Sequence, residues 1–190
     1  MFQPTVFVAQ LQVLDQFVHH FTYRRALREC VDAAGNEVPA FWTYTSDAHL
    51  LCAIAAWCMV FGADNENNAT HWKLVFENDA ALVASFRQAL QEELGLTLDA
   101  WRDYHRDMVA FRNNYVSHRA VHPPAVPNLD VARDVVLLYD RWVRDVALAN
   151  DNFAYPLLRD DAAQMMDDNR VYLGHVMTSV RALRLPAQPV

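Results

Sequence analysis

Glycine is scarce in this chain, with four among 190 residues. A turn-rich sheet protein needs more breakers than that, so long helices are expected. The eight prolines gather outside the periodic segments. Cysteine is scarce too. Cys30, Cys52 and Cys58 form an odd set with no short C-x-x-C spacing, which excludes a disulfide framework and a zinc knuckle. Cys52 and Cys58 fall in an apolar run, where a thiol acts as a small hydrophobe, and a reducing, cytoplasmic setting is expected. The strongest apolar run, Leu50 to Phe61, is too short to cross a bilayer and reads as a buried core helix. The N-terminus lacks a basic region and a small-residue cleavage site, so no signal peptide is expected. Without one, the sequon Asn68-Ala69-Thr70 carries no meaning. Excess positive charge is also missing. A net charge of -7 excludes a uniformly basic nucleic-acid binder but leaves room for a local basic site.

Apolar residues are plentiful, at 53%, so disorder is expected only at the ends. The length fits one domain, residues 1–184, with a frayed tail over 185–190. Pro4 suits a first helical turn, and Phe7, Leu11, Leu14, Val18 and Phe21 then form one apolar stripe opposed by Gln12, Asp15, Gln16 and His19. That helix is expected to reach Ala34, with Gly35-Asn36 as its stop. Phe41 to Thr45 reads as an aromatic connector and Ser46 as the N-cap of the apolar helix, which ends near Gly62. Ala63 to Asn68 reads as a polar loop, and His71 to Phe76 as a short helix capped by Thr70. Asn78 or Asp79 starts a helix lined by Leu82, Phe86, Leu90 and Leu94 and closed by Gly95. Thr97 caps the next, whose stripe is Trp101, Tyr104, Met108, Phe111 and Tyr115. The prolines after His122 form a stiff connector. From Asp130 to Asn150, Ala132, Val135, Tyr139, Trp142 and Val146 face inward, with Asp140 and Arg144 paired outside. Pro156 opens a last helical region, broken near Asp167-Asp168-Asn169. Short connections imply antiparallel neighbours, hence an all-α antiparallel bundle of five to seven helices.

One stretch departs from the acidic balance. Residues 101–122 hold Arg102, Arg106, Arg112 and Arg119 against Asp103 and Asp107, a local charge of +2, together with His105, His118 and His122. That asymmetry suits an anionic ligand, although a solvated face of mixed charge has the same composition. At about 100° per residue, His105, Arg112 and Arg119 share a seam beside the apolar stripe, while Arg112 and His118 stand about 120° apart. On an unbroken helix the two do not point at one spot. They converge only if the helix unwinds near Ser117, if the length of arginine spans the gap, or if a second chain completes the site. The residue types suit RNA cleavage. Histidine titrates near neutral pH and moves protons; arginine keeps its charge and grips a phosphate with two hydrogen bonds. The plainer reading is a histidine packed at a helix end and an arginine paired with Asp107 or a neighbouring aspartate.

The run Phe111-Arg112-Asn113-Asn114-Tyr115-Val116-Ser117-His118-Arg119 resembles the signature of the HEPN superfamily. There an arginine followed by a polar residue precedes a histidine with four to six residues between them; here five intervene, with Asn113 in the polar place. Trp57 to Gly62, a polar loop, and Thr70-His71-Trp72-Lys73 resemble the abortive-phage-infection branch of that superfamily. The resemblance covers residues 46–145, and Ser117 departs from the alanine more usual there. It implies a bundle that forms homodimers, with a metal-independent endoribonuclease site shared across the interface, in a toxin–antitoxin or phage-defence system. Carried over, Arg112 and His118 are catalytic. Asn113 supports them, with Ser117, Arg119 and His105 nearby. RNA is the implied partner, and an antitoxin would be a separate protein. No cofactor or metal is implied, and no membrane.

Two other readings stay open. A non-catalytic helical module that binds a protein or nucleotide fits the same composition. A metal site at His118 and His122 has the right spacing, but Pro123 and Pro124 interrupt the helix it needs. Trp101 and Trp142 read as core, and His49 as a satisfied core histidine. His71 and Trp72 either line the same groove as the motif or belong to loop and core packing.

Overall fold

A computed structural model of the chain describes residues 1–34, 40–64, 69–117, 125–147 and 156–182. Six α-helices follow in order: α1 (Pro4–Ala34), α2 (Ala40–Phe61), α3 (Ala80–Leu94), α4 (Leu98–Phe111), α5 (Leu129–Ala147) and α6 (Leu158–Ala182). A 3-10 segment, Trp72–Phe76, lies between α2 and α3, and α4 runs directly into a π-helical turn, Arg112–Ser117. No strand occurs among the described residues. The fold is the expected all-α bundle. The stops and connectors expected at Gly35-Asn36 and around His122 to Pro124, and the tail from Leu185, lie outside the described residues.

α1 follows its apolar period. Phe7, Leu11, Leu14, Val18 and Phe21 are all buried, and Gln12 and Gln16 are exposed. It packs most extensively against α2, whose Ala53, Ile54, Trp57, Val60 and Phe61 form the centre of the core. Phe61, Phe86, Tyr139 and Trp142 build an aromatic hub; the Phe61 and Tyr139 rings meet edge to face at 5.3 Å. Each such side chain contributes roughly 1.5–3 kcal/mol by leaving water. Truncating one leaves a cavity that its neighbours cannot fill.

Caps set the boundaries of α3 and α4. The Asp79 carboxylate accepts from the amides of Ala81 and Leu82, and the Thr97 hydroxyl from that of Ala100. Gly95 ends α3 in the left-handed region at φ 65°, where glycine carries no steric penalty.

The structure corrects five expectations. Phe41 to Thr45 is the first part of α2, not a connector, and Ser46 is buried inside the helix rather than capping it. Phe41 and Tyr44 stand in solvent, and the Thr45 hydroxyl donates to the Phe41 carbonyl at 2.7 Å inside the helix, where it no longer competes for the backbone amides. At 22 residues and a mean hydropathy of 1.3, α2 therefore has the length and composition of a membrane span, although half of its apolar window is buried in the bundle. Thr70 does not cap the 3-10 segment; its hydroxyl donates to the Met59 carbonyl at 2.9 Å and ties the loop to α2. Val146 is 40% exposed, and Val143 takes the inward place. α6 passes through Asp167-Asp168-Asn169 unbroken, because Asn169 donates to Thr22 and Arg170 pairs with Glu29, both on α1.

The fifth correction concerns Asp140, which is 1% exposed instead of facing water. One carboxylate oxygen holds Arg144 at 2.8 Å; the other accepts the Leu158 amide at 3.0 Å and so caps the start of α6. Arg144 also donates to the Pro156 carbonyl. Burial raises the Asp140 pKa against the pull of Arg144 and the Leu158 amide. Asp140→Ala removes the carboxylate from a buried guanidinium and the cap from α6. It is expected to cost about 3 kcal/mol in urea unfolding, and a loss under about 1 kcal/mol would contradict this role.

Candidate functional site

At Arg112 the helix changes its hydrogen-bonding pattern. α4 is capped cleanly at Thr97 and buries Trp101, Met108 and Phe111. The stripe then continues with Tyr115 and Val116 side by side, both packed against the core, and the Phe111 and Tyr115 rings lie 5.0 Å apart. An α-helix cannot keep two adjacent residues on one narrow stripe; a wider turn accommodates both. Asn113, Asn114 and Ser117 then face solvent. In an α-helix each carbonyl accepts the amide four residues on, whereas i→i+5 bonding passes it to the amide five residues on and widens the turn.

Arg112 is half-buried, and its Nε is buried with no hydrogen-bond partner. The guanidinium lies against Cys58 of α2. Burial pushes the Cys58 thiol up to about 12, and the Arg112 charge and hydrogen bond pull the other way. Asp107 does not pair with Arg112; it stands 3.5 Å from Arg106, which also binds Asp103 at 2.7 Å. Arg102 is held by Asp99 at 3.2 Å. Among the described residues, Arg112 is therefore the one arginine of residues 101–122 with no carboxylate partner. His118, Arg119 and His122 lie outside the described residues.

His105 belongs to a different place. Seven residues before Arg112, it stands about 10 Å away along the axis. Its Nε2 lies 3.2 Å from the Gly62 carbonyl, and its ring packs on Trp57 and Trp101. His71, from the 3-10 segment, faces the same carbonyl. It is 2% exposed, and its Nδ1 is 3.6 Å from an Asp64 oxygen, too long for a hydrogen bond. Asp64 is held by Lys73 at 2.6 Å, which keeps its carboxyl below the usual carboxylate range. Gly62 is obligatory here: a Cβ on it would stand 2.2 Å from the Cys58 carbonyl oxygen. Of the two readings open for His71, the structure joins it to His105 in a cleft rather than to Arg112. The signal was present as His71 followed two residues later by Lys73, but its partner His105 is distant in sequence.

Another histidine pair joins α1 to α2. The Nδ1 atoms of His20 and His49 are 2.8 Å apart, with Tyr23 packed on His49. Burial lowers both pKa values. One ring must donate and the other accept, so the pair holds together while at least one is neutral. No group of three metal-ligating side chains occurs among the described residues.

No family model, curated protein or solved structure matches this chain.

Two outcomes follow from these environments. Cys58 is 6% exposed with a raised pKa, while Cys52 is exposed. Iodoacetamide at pH 8 should modify Cys52 and spare Cys58 in folded protein, as read by peptide mass spectrometry; equal labelling would contradict the burial. The second outcome concerns pH. Burial lowers His71 from 6.5 to about 4, so in that window the unfolded chain binds a proton that the folded chain refuses. Stability is thus present above about 6.5 and falls as pH drops toward 4. His71→Gln should flatten the loss of urea midpoint between pH 7 and 5; an unchanged slope would refute the assignment.

Proposed function

We propose that this chain is a metal-independent endoribonuclease of toxin or phage-defence type, with a composite site formed by Arg112 and His118 of two copies at a two-fold interface. One observation carries the reading. The HEPN-like motif opens on a π-helical turn, and among the described residues its arginine has no carboxylate partner while Arg102 and Arg106 do. Rare π turns concentrate at functional sites, and a guanidinium free of carboxylates is available to a phosphate.

The chemistry needs few groups, because RNA supplies its own nucleophile. The 2'-oxygen attacks phosphorus and loses its proton to a histidine; the bond to the 5'-oxygen breaks, and that oxygen takes a proton. The products are a 2',3'-cyclic phosphate and a 5'-hydroxyl. His118 fits the proton transfer and Arg112 the charge that builds on the phosphoryl oxygens. Six residues apart, the two positions stand about 120° apart on an unbroken helix, so a single helix would not aim both groups at one phosphate. A second copy is the economical solution, and Asn113 and Ser117, exposed at the turn, are placed to support it. RNA is the partner on this reading, and an antitoxin would be a separate protein.

A second reading has its own observation. The Arg112 guanidinium rests on Cys58 within the same chain, as a structural arginine would in a non-catalytic binding module. Purified protein incubated with RNA in EDTA separates the two. Arg112→Ala and His118→Ala should each lower the cleavage rate by about 100-fold or more with the fold intact by circular dichroism. Cleavage of equal rate in both variants, or none by the wild type on any RNA, would favour the binding module.

A further inference from the structure

The cleft around His71 and His105 is a second site that the cleavage proposal does not use. Its cavity measures about 210 Å³ and lies between the end of α2, the start of the 3-10 segment, α3 and α4. Among the described residues, Lys73, Arg87 and Arg102 line it against a single carboxylate, Asp64. We propose that this cleft binds a terminal phosphate group, held by Lys73, Arg87 and Arg102 with His105 at its wall.

Charge carries the argument first. Three cations meet one acid here, in a chain whose net charge is -7. Arg87 is exposed and makes no ion pair among the described residues. Arg102 is engaged only by Asp99, with side chains 66% and 88% exposed, and such a surface pair yields readily to a better anion. Lys73 is the guarded one: Asp64 holds it at 2.6 Å and competes with any incoming oxyanion.

Size comes next. A cavity of 210 Å³ is below the roughly 300–1,000 Å³ of sites that enclose a whole small molecule. At about 30 Å³ per water it holds several waters, which suits a phosphate and its immediate shell but not a base and ribose as well. A terminal phosphate offers three free oxygens to three cations, whereas a backbone diester offers two.

The third observation is independent of charge. His71 Nδ1 is buried with no partner among the described residues, beside the cleft that His71 lines. A buried polar atom left open is uncommon, and a ligand that brings its own O–H can meet it. A phosphate monoester is half protonated near pH 6 and carries that hydroxyl. Burial keeps the His71 ring neutral at neutral pH, so it has a lone pair to accept it.

Calorimetric titration of the full chain tests this with inorganic phosphate, a 5'-nucleoside monophosphate and a dinucleoside phosphate that has only a diester. The first two should bind saturably at millimolar concentration and the diester should not. Tighter binding of the nucleotide would identify a phosphorylated end as the source, and equal binding the free ion. Arg87→Ala should weaken phosphate binding by about 10- to 100-fold. Asp64→Asn should tighten it, a gain that no loss of structure produces. Arg141→Ala, which breaks a pair with Glu93 outside the cleft, should leave it unchanged. Absence of saturable binding, indifference to Arg87→Ala and Asp64→Asn, or equal capture of the diester would overturn the proposal. None of these readouts requires RNA cleavage, so a failure here leaves the Arg112 site standing and a failure there leaves this cleft standing.

Discussion

The buried side chain of Gln10 is the joint on which the arrangement of this bundle depends. It has no exposed surface, yet it sits on α1 among phenylalanines and leucines. Its Nε2 donates to the His71 carbonyl at 3.0 Å, and its Oε1 accepts the Tyr139 hydroxyl at 2.7 Å. That hydroxyl is also 3.1 Å from the Trp72 carbonyl. A phenol has one proton, so Gln10 takes the shorter bond and Trp72 shares what remains. Each bond made adds only about 1 kcal/mol net. Each one broken would strand a buried polar group at a cost of roughly 1–3 kcal/mol. The asymmetry makes the contact a constraint more than a source of stability: α1, α5 and the 3-10 segment must meet in this one register.

That register reaches the candidate chemistry. The His71 backbone is held by Gln10 and its neighbour Trp72 is packed on Phe86, so the His71 ring is directed toward the end of α2. There Gly62 presents its carbonyl to His105, and no other residue fits so close to Cys58. Cys58 in turn lies against Arg112. The last turn of α2 thus stands between two features of α4, with His105 on one side and Arg112 on the other, about two helical turns apart. On the His105 side stands Trp57, fully buried and packed against Trp101, Tyr104 and His105.

How much of this was legible in the amino-acid pattern depends on the range of the signal. The α1 stripe, the Asp79 and Thr97 caps and the left-handed Gly95 are local rules, and all three hold. Ser46 shows a local rule misapplied: a good capping residue was present, but the helix had already begun at Ala40, and a serine inside a helix looks the same in sequence as one at its end. Asp140 shows the limit of the charge rule. An i,i+4 acid–arginine pair usually faces water, and only the docking of α6, whose first amide needs an acceptor, brings it inside. Asp167-Asp168-Asn169 looks like a break for the same reason, since its stabilising partners Thr22 and Glu29 lie on α1. The His71–His105 cleft was out of reach because its halves come from separate elements joined by no periodic pattern.

The charge pattern around Arg112 sharpens when pairs replace counts. Four arginines against two aspartates suggested a diffuse basic seam, but Arg102 and Arg106 are each engaged by acids within a turn, and Asp99, outside that tally, takes part. What remains positive is not a stripe suited to tracking a nucleic-acid backbone. Among the described residues it is two separate points, Arg112 at the π turn and the cluster at the mouth of the His71 cleft. A molecule of net charge -7 gives a polyanion little long-range attraction, so phosphate binding would have to be won locally, where a guanidinium meets a phosphate at close range. That favours a ligand engaged at a few phosphates over one held along its length. On the proposed cleavage reading, a second copy would bring a second Arg112 to the shared cleft and raise the positive charge there locally.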